Sequence, residues 1–504
     1  MAKRSKAKTL TFLDKTFWIT ESADNPKHVA SLQLLRKPAS ASNNPDYVKD
    51  LFDEVSQYDK ASAPFNCRVK SFLGFPLALV PSRKLDMHYH VQLHEVDDMH
   101  DRPALDDYIA KMHEVMLDRD KPLWQFHFIH DGKSDLYGIY IKVHHMYGDG
   151  ATLVRWFQQG YHDHPTTDTF VPIWAVKRTR PKPPSVKLWR RVGRQTLNFL
   201  VSTKDLLIVF IRLFFKIIWI NRHYMPVPFS GTKTVLTGQV KSGRAVATMD
   251  IDFERVRAIG KRARASANEV LLCVFDIGVH RFLRDYGQTF EKALFTNMPI
   301  NLRKPGEQTT GNKIAIVPVQ LAHGRSDPYM RLRQIIVNHR VVKYAAQQAS
   351  PAAFSYYTVI IQSIALIFEV LRLSNLAKPI ANLLVSNVPG PSETRYLKDS
   401  ELVSSYPVST MTPGGGVNIT LMTYAGTANI GMVCSNMKIK TLQPLADYCQ
   451  EAFELLEKSI DDPTVNIDDI GEHISEMPVS IVTETLDQEE IPSRAPINKE
   501  KETA

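Results

Sequence analysis

The stretch IYIKVHHMYGDG, Ile139–Gly150, constrains the fold of this chain more than any other. Tyr137, Ile139, Ile141 and Val143 are apolar at every second position, the period of a half-buried strand. Gly148 and Gly150 supply turn chemistry. Leu153, Val154, Phe157 and Tyr161 then recur at helical spacing. The unit reads strand, tight turn, helix. Parity puts His145 on the inward face with the apolar residues and His144 on the other face. An inward imidazole at a strand end is either a hydrogen-bonded core residue or a catalytic base. Asp149 either caps the next helix or holds the loop. Local pattern leaves both questions open.

The rest of the chain sets the frame. With 504 residues and 44% hydrophobic content it can bury a large core, and its length favours two or more lobes. Cys67, Cys273, Cys434 and Cys449 show no metal-ligand spacing and fit a reducing compartment. The N-terminus is basic, with no apolar run of signal-peptide length, so an intracellular, cytoplasmic location is expected. The net charge of +9 hides an asymmetry, since the residues from Asp461 onward hold twelve acids and three bases. The preceding 460 residues therefore carry +18, concentrated between Lys177 and Arg222, where twelve Lys/Arg face Asp205 alone. Such a body attracts polyanions, either nucleic acid, anionic lipid headgroups or a phosphorylated carrier such as coenzyme A.

Four segments follow from composition and periodicity. Residues 1–175 form a first mixed α/β lobe. Residues 176–234 hold a basic, proline-rich linker and then an apolar stretch, Leu197 to Tyr224, interrupted by Lys204, Arg212, Lys216 and Arg222. Its longest wholly apolar run, Leu206 to Ile211, is too short for a bilayer span of about 20 residues. An amphipathic helix at a membrane interface is expected there, against the alternative of a helix packed on the protein's own surface. Residues 235–460 form a second α/β lobe, within which Tyr344 to Phe368 is uncharged but polar enough to read as a buried or interfacial helix pair. Residues 461–504 are acidic and read as a disordered tail.

Several chemistries can be set aside. The chain has no GxGxxG after a strand, no GxxxxGK[ST] and no GxSxG. Adjacent histidines on a strand point to opposite faces and do not readily share a metal ion. No nucleic-acid motif accompanies the charge. The simplest role left for His145 is a general base toward a substrate hydroxyl or amine.

HHMYGDG is an instance of the His-His-x-x-x-Asp-Gly signature of the chloramphenicol-acetyltransferase-like acyltransferases. The flanking blocks narrow this further. TFLDKTFWITESADNPKHVASLQLL, with Leu13, Asp14, Glu21, Pro26 and His28, resembles the opening of the bifunctional wax ester synthase/acyl-CoA:diacylglycerol acyltransferases. LDRDKPLWQFHFI resembles the same family, as do ANEVLLCVFDIGVHRFL, MPINLR, GNKIAIVPVQL, SNVPGP and GVNITLMTYAG, all in the family's order between roughly Thr11 and Ile460.

The resemblance implies a two-lobed α/β fold in which each lobe is a mixed sheet flanked by helices, with a substrate channel between lobes. It implies that His145 is the catalytic base and His144 its motif partner. Asp149 and Gly150 become loop-shaping residues, with Arg303 of the second lobe as the partner of Asp149. Pro122, Leu123 and Trp124 are placed near the channel, together with Asn268 of the family's Asn-Asp pair. Two positions depart from the family pattern: Glu269 replaces the aspartate, and Lys27 replaces the methionine of Pro-Met-His-Val, a difference expected to lie at the surface. The implied activity is O-acyl transfer from acyl-CoA, a co-substrate and not a bound cofactor, to a long-chain alcohol or diacylglycerol. The expected site is a membrane or lipid-droplet surface, with no metal and no nucleic acid involved. A non-catalytic lipid-surface protein on the same fold, or an acyltransferase with another acceptor, is the alternative.

Overall fold

The structure is a computed structural model that describes residues 8–10, 12–82, 84–148, 150–177, 188–220, 225–288, 293–301, 314–323, 327–435 and 438–461. Asp149, Arg303, most of the proline-rich linker and all but the first residue of the acidic tail lie outside the described residues.

The first lobe begins with β1 (Lys8–Thr9), α1 (Phe12–Thr20), β2 (His28–Arg36) and α2 (Tyr47–Ser56). A hairpin of β3 (Cys67–Phe72) and β4 (Phe75–Pro81) leads to α3 (Met87–His90), β5 (Val91–Glu95) and α4 (Arg102–Glu114). Asp101 starts α4 by accepting the Ala104 N–H at 3.1 Å. The antiparallel pair β6 (Trp124–His130) and β7 (Leu136–His144) follows, then α5 (Gly150–Phe157). The strand–turn–helix unit expected around His144 and His145 is present.

A long helix, α6 (Leu188–Ile217), connects to the second lobe. That lobe runs β8 (Ala245–Asp252), α7 (Phe253–Ala263), α8 (Ala267–Asp285), β9 (Phe295–Asn301) and β10 (Ile314–Gln320). The helix pair α9 (Pro328–Gln347) and α10 (Pro351–Val370) comes next, followed by β11 (Leu383–Pro389), β12 (Tyr396–Leu397) and β13 (Ser400–Val408). The chain closes with β14 (Val417–Tyr424), β15 (Thr427–Cys434) and α11 (Gln443–Asp461).

One six-stranded sheet has the order β10-β9-β11-β14-β15-β8 and the other β12-β13-β2-β7-β6-β5. The second order departs from a simple division at residue 235. Strands β12 and β13 leave the second lobe and complete the first sheet, with Val408 opposite Ala30 and Glu401 opposite Arg36. Sequence periodicity reports which face of a strand is apolar, and not which sheet the strand joins.

This exchange welds the lobes. Ala30, Leu32 and Leu34 of β2 and Tyr140 of β7 pack with Leu105 and Ile109 of α4 and with Val246 and Val433 of the other sheet. A Cβ at Gly431 would collide with the Pro407 carbonyl, so β15 approaches β13 as only glycine allows. The opposite face of β7, carrying Tyr137, Ile139, Ile141 and Val143, packs with Trp124, Phe126 and Trp174. The period-two face was read correctly, but the strand is buried on both sides because the second lobe covers the other one.

Residues 344–368 form the end of α9 and most of α10. Ala353, Phe354, Tyr357, Ile361 and Ala365 make one buried stripe on α10, while Tyr356, Ile360, Ile367 and Val370 are exposed. By length and composition alone α10 could cross a membrane, with a mean hydropathy of 1.5 and 33% of its window buried. It packs against α6, which buries Ser202, Val209 and Leu213 and exposes Leu207, Ile211, Phe214 and Phe215.

Candidate active site

His144 is the last residue of β7, lies opposite His28 of β2, and is fully buried. Its N–H donates to the Leu123 carbonyl at 3.0 Å. Its Nδ1 accepts the Met146 N–H at 3.1 Å, which closes the turn after the strand. The next residue has left the sheet. The His145 N–H still donates to the Lys27 carbonyl at 2.9 Å, but its side chain is only partly buried and stacks on Phe17 of α1, with centroids 4.3 Å apart and planes 15° from parallel. The parity expectation is thereby corrected: His144 is the fully interior imidazole and His145 the partly exposed one. Parity holds only while the strand lasts, and β7 ends one residue too early for it to reach His145.

The PLW block forms the clamp on this turn. The Leu123 N–H donates to the Tyr147 hydroxyl at 2.9 Å, which in turn donates to the Cys67 carbonyl at 2.5 Å. Pro122, Leu123 and Trp124 are all buried. Trp124 stacks between His90 and Trp174, at 4.2 and 4.8 Å, and donates its indole N–H to the Phe65 carbonyl at 2.8 Å. Trp124 is thus a core residue. Trp124→Phe is expected to lower stability by about 2 kcal/mol, through lost packing and an unpaired Phe65 carbonyl. A urea titration checks this, and an unchanged midpoint would refute it.

Glu21 supplies what the motif alone does not show. Its Oε1 accepts the Lys27 N–H at 3.0 Å and lies 3.4 Å from His144 Nε2. Its Oε2 accepts Arg119 Nε at 3.2 Å. Arg119 also donates to the Trp18 carbonyl at 2.8 Å and lies over the Trp18 ring at 4.4 Å. Burial would raise the Glu21 carboxyl, but His144, the Lys27 N–H and Arg119 together outweigh it and hold the group below the ordinary value of 4.5. Glu21 and Arg119 both sit in the quoted blocks, yet no spacing rule pairs residues 98 positions apart.

Lys27 overturns an expectation. It is buried, only 4% exposed, and its ammonium donates to the Met411 carbonyl of the loop before β14 at 3.1 Å. Burial lowers it from 10.5 to about 8, opposed in part by Glu369. A charged lysine above an apolar stripe of a strand looks like a surface residue until the other lobe is placed on it. Below pH 8 the folded protein holds a desolvated ammonium that the unfolded chain would hydrate. Wild-type stability from this group therefore rises as pH climbs from 8 toward 10.5. Lys27→Met is expected to stabilise by about 2 kcal/mol at pH 7 and to lose that advantage over the same window. Thermal melts at both ends of the window test it, and a variant melting lower at pH 7 would contradict it.

The turn faces the second lobe. A Cβ on Gly150 would lie 3.8 Å from Val388 Cγ2 at the end of β11. Neither Gly148 nor Gly150 has a positive φ. Close approach explains Gly148, where a Cβ would sit 3.0 Å from Thr152 Cγ2, whereas a Cβ at Gly150 would make only an ordinary contact. Beside Val388, Asn387 donates to the side chain of Asn268 at 2.8 Å, near the start of α8. Asn268 is therefore tied to the SNVPGP strand, which is the strand the motif loop faces. Glu269 has a structural task. It closes a capping box with Ser266 at the start of α8 and pairs with His339 at 2.8 Å. The Ser-x-x-Glu spacing carried that signal. The expected Asp149–Arg303 pairing lies outside the described residues. Among the described residues no group of three or more His, Cys, Asp or Glu could hold a metal ion.

The candidate site is a partly exposed imidazole on a hydrogen-bonded turn at the seam between lobes. Comparison with known proteins identifies the family. Residues 10–271 match the family model described as the wax ester synthase/diacylglycerol acyltransferase catalytic domain. Residues 310–457 match the corresponding C-terminal domain. A putative diacylglycerol O-acyltransferase of Mycobacterium tuberculosis is 27% identical, covering 88% of this chain and 96% of its own. The O-acyltransferase WSD of Acinetobacter baylyi is 24% identical over the same shares. The solved wax ester synthase/diacylglycerol acyltransferase of Marinobacter aquaeolei has the same fold, with a TM-score of 0.70 at 22% identity over 90% of this chain and 99% of that one. The first condensation domain of the calcium-dependent antibiotic synthetase shares the architecture at a TM-score of 0.54 and 13% identity, over 93% and 99% of the two chains. With more than half its length matched by the catalytic-domain model alone, the chain belongs to the wax ester synthase/diacylglycerol acyltransferase family.

Proposed function

We propose that the chain transfers an acyl group from acyl-CoA to the hydroxyl of a long-chain alcohol or diacylglycerol, with His145 as the general base. One observation carries this reading. Of the two motif histidines, His145 is partly exposed while His144 is fully buried, and the His145 backbone is anchored to the Lys27 carbonyl beside a hydrogen-bonded turn. In the proposed step the imidazole takes the hydroxyl proton as the oxygen attacks the thioester carbonyl. The tetrahedral intermediate then expels the coenzyme A thiolate, which receives that proton from the imidazolium. The ester is formed without an acyl-enzyme, because two bound substrates held side by side supply much of the rate.

Asp149 and Arg303 are proposed to shape the motif loop from the two lobes. Asn268, beside the end of β11, would help line the acceptor side. The apolar residues exposed on α6, with Lys204 and Arg212 among them, support peripheral attachment to a membrane or lipid droplet. The decisive experiment offers purified protein one acyl-CoA with hexadecanol and diacylglycerol in competition. Ester products and released thiol support the reading. Vesicle binding with no ester would instead make the chain a non-catalytic lipid-surface protein.

A further inference from the structure

The β3–β4 hairpin does not enter the proposed chemistry, yet it ends in the most exposed large apolar group among the described residues of the first lobe. Phe72, Leu73 and Phe75 are 66%, 83% and 63% exposed, and Leu77 beside them is half-exposed. A contiguous apolar tip of this kind is uncommon on a protein that meets only water. Phe72 pairs with Phe75 across a two-residue turn, with φ +47° at Leu73 and +81° at Gly74. Such turns favour Asn-Gly, because the first position must be left-handed. A leucine there is strained, and its side chain points to solvent. The tip therefore tolerates strain to display an apolar group, which marks a functional position.

Charge identifies what the tip meets. Arg68, Lys70 and Phe72 lie on one outward face of β3, and both cations are exposed. At about 3.3 Å per residue, Lys70 sits about 7 Å behind Phe72 and Arg68 about 13 Å behind it. An apolar tip with cations at that depth matches acyl chains topped by anionic headgroups.

The hairpin is also fastened to the active site. Trp18 of α1 donates its indole N–H to the Gly74 carbonyl at 3.0 Å. Phe17, the preceding residue, is the ring stacked on His145. Ile19, the next one, is half-exposed. A surface that receives the tip is thus joined through one helix to the cover of the imidazole.

We propose that the Phe72–Leu73–Gly74–Phe75 tip inserts into an anionic lipid surface and sets α1 and His145 against the leaflet, from which the acceptor is drawn. The delivery step rests on the O-acyltransferase reading above, whereas lipid insertion stands apart from it.

The test uses the full chain carrying Leu73→Asn with Phe75→Thr. Asparagine suits the left-handed position, so the variant is expected to melt no lower than the parent. Its partitioning onto phosphatidylcholine vesicles containing phosphatidylglycerol, measured by co-sedimentation without substrates, is expected to fall at least about 10-fold. Lys70→Glu is expected to weaken partitioning and its dependence on salt. Ester formation with an acceptor embedded in vesicles should fall with binding, while that with a water-soluble short-chain alcohol should not. Unchanged partitioning of the double variant overturns the proposal, as does binding that responds only to changes on α6. An equal loss with both acceptors overturns the delivery step. Absence of any ester formation would defeat the acyltransferase reading and leave the binding result standing.

Discussion

Replacing His145 with alanine is expected to lower kcat for thioester-dependent ester formation about 100- to 10,000-fold, the range a positioned base contributes. Melting should change far less than for a fully buried ring, because the His145 ring is partly exposed and its removal opens little core. The substitution keeps the backbone bond from residue 145 to the Lys27 carbonyl, so the turn should hold its shape. His144→Ala makes the contrasting control. It removes the acceptor of the Met146 N–H and a fully buried ring beside Glu21, and should cost stability as well as rate. Release of the coenzyme A thiol, followed against a thermal melt for each protein, separates the two. If His145→Ala formed ester at the wild-type rate, another group would have to be the base.

The difference between these histidines was only partly legible in the sequence. Period-two spacing located β7 and the face that carries Ile139 and Ile141, because that signal is local. It could not show that the other face is covered by α4 and the second sheet, since that burial comes from residues such as Val246 and Val433 far along the chain. The same blindness placed Lys27 at the surface. That error concerns what packs on a residue and not what the residue is. The family blocks recovered the order of the site's parts. They did not reveal that Leu123 and Tyr147 lock the turn, because a contact through a peptide N–H leaves no mark on residue choice. The exchange of β12 and β13 between sheets is a register fact of the same kind, set by pairing with β2.

Glu21→Ala should be the most destabilising single change at the site. The carboxylate and His144 are both without exposed surface, and Arg119 and the Lys27 N–H converge on the same two oxygens. Removing one partner of a buried charged cluster leaves the others unpaired, at a cost of about 3–5 kcal/mol. Glu21→Gln keeps an acceptor for the Lys27 N–H and should cost less. The pH dependence has a definite sign. Because the folded carboxyl lies below its ordinary value of 4.5, its contribution is present above that pH and is lost as pH falls through the folded value. The glutamine variant, which cannot titrate there, should show a shallower loss of stability in acid than the parent. Rate should respond too, since the Lys27 peptide that Glu21 holds is the anchor of the His145 N–H. A fall in kcat with KM nearly unchanged is expected, because the base is displaced while the substrate contacts remain. Urea titrations from pH 3 to 7 on all three proteins decide the stability claim. Coincident unfolding curves for parent and Glu21→Ala would show that the cluster does not hold the motif in place.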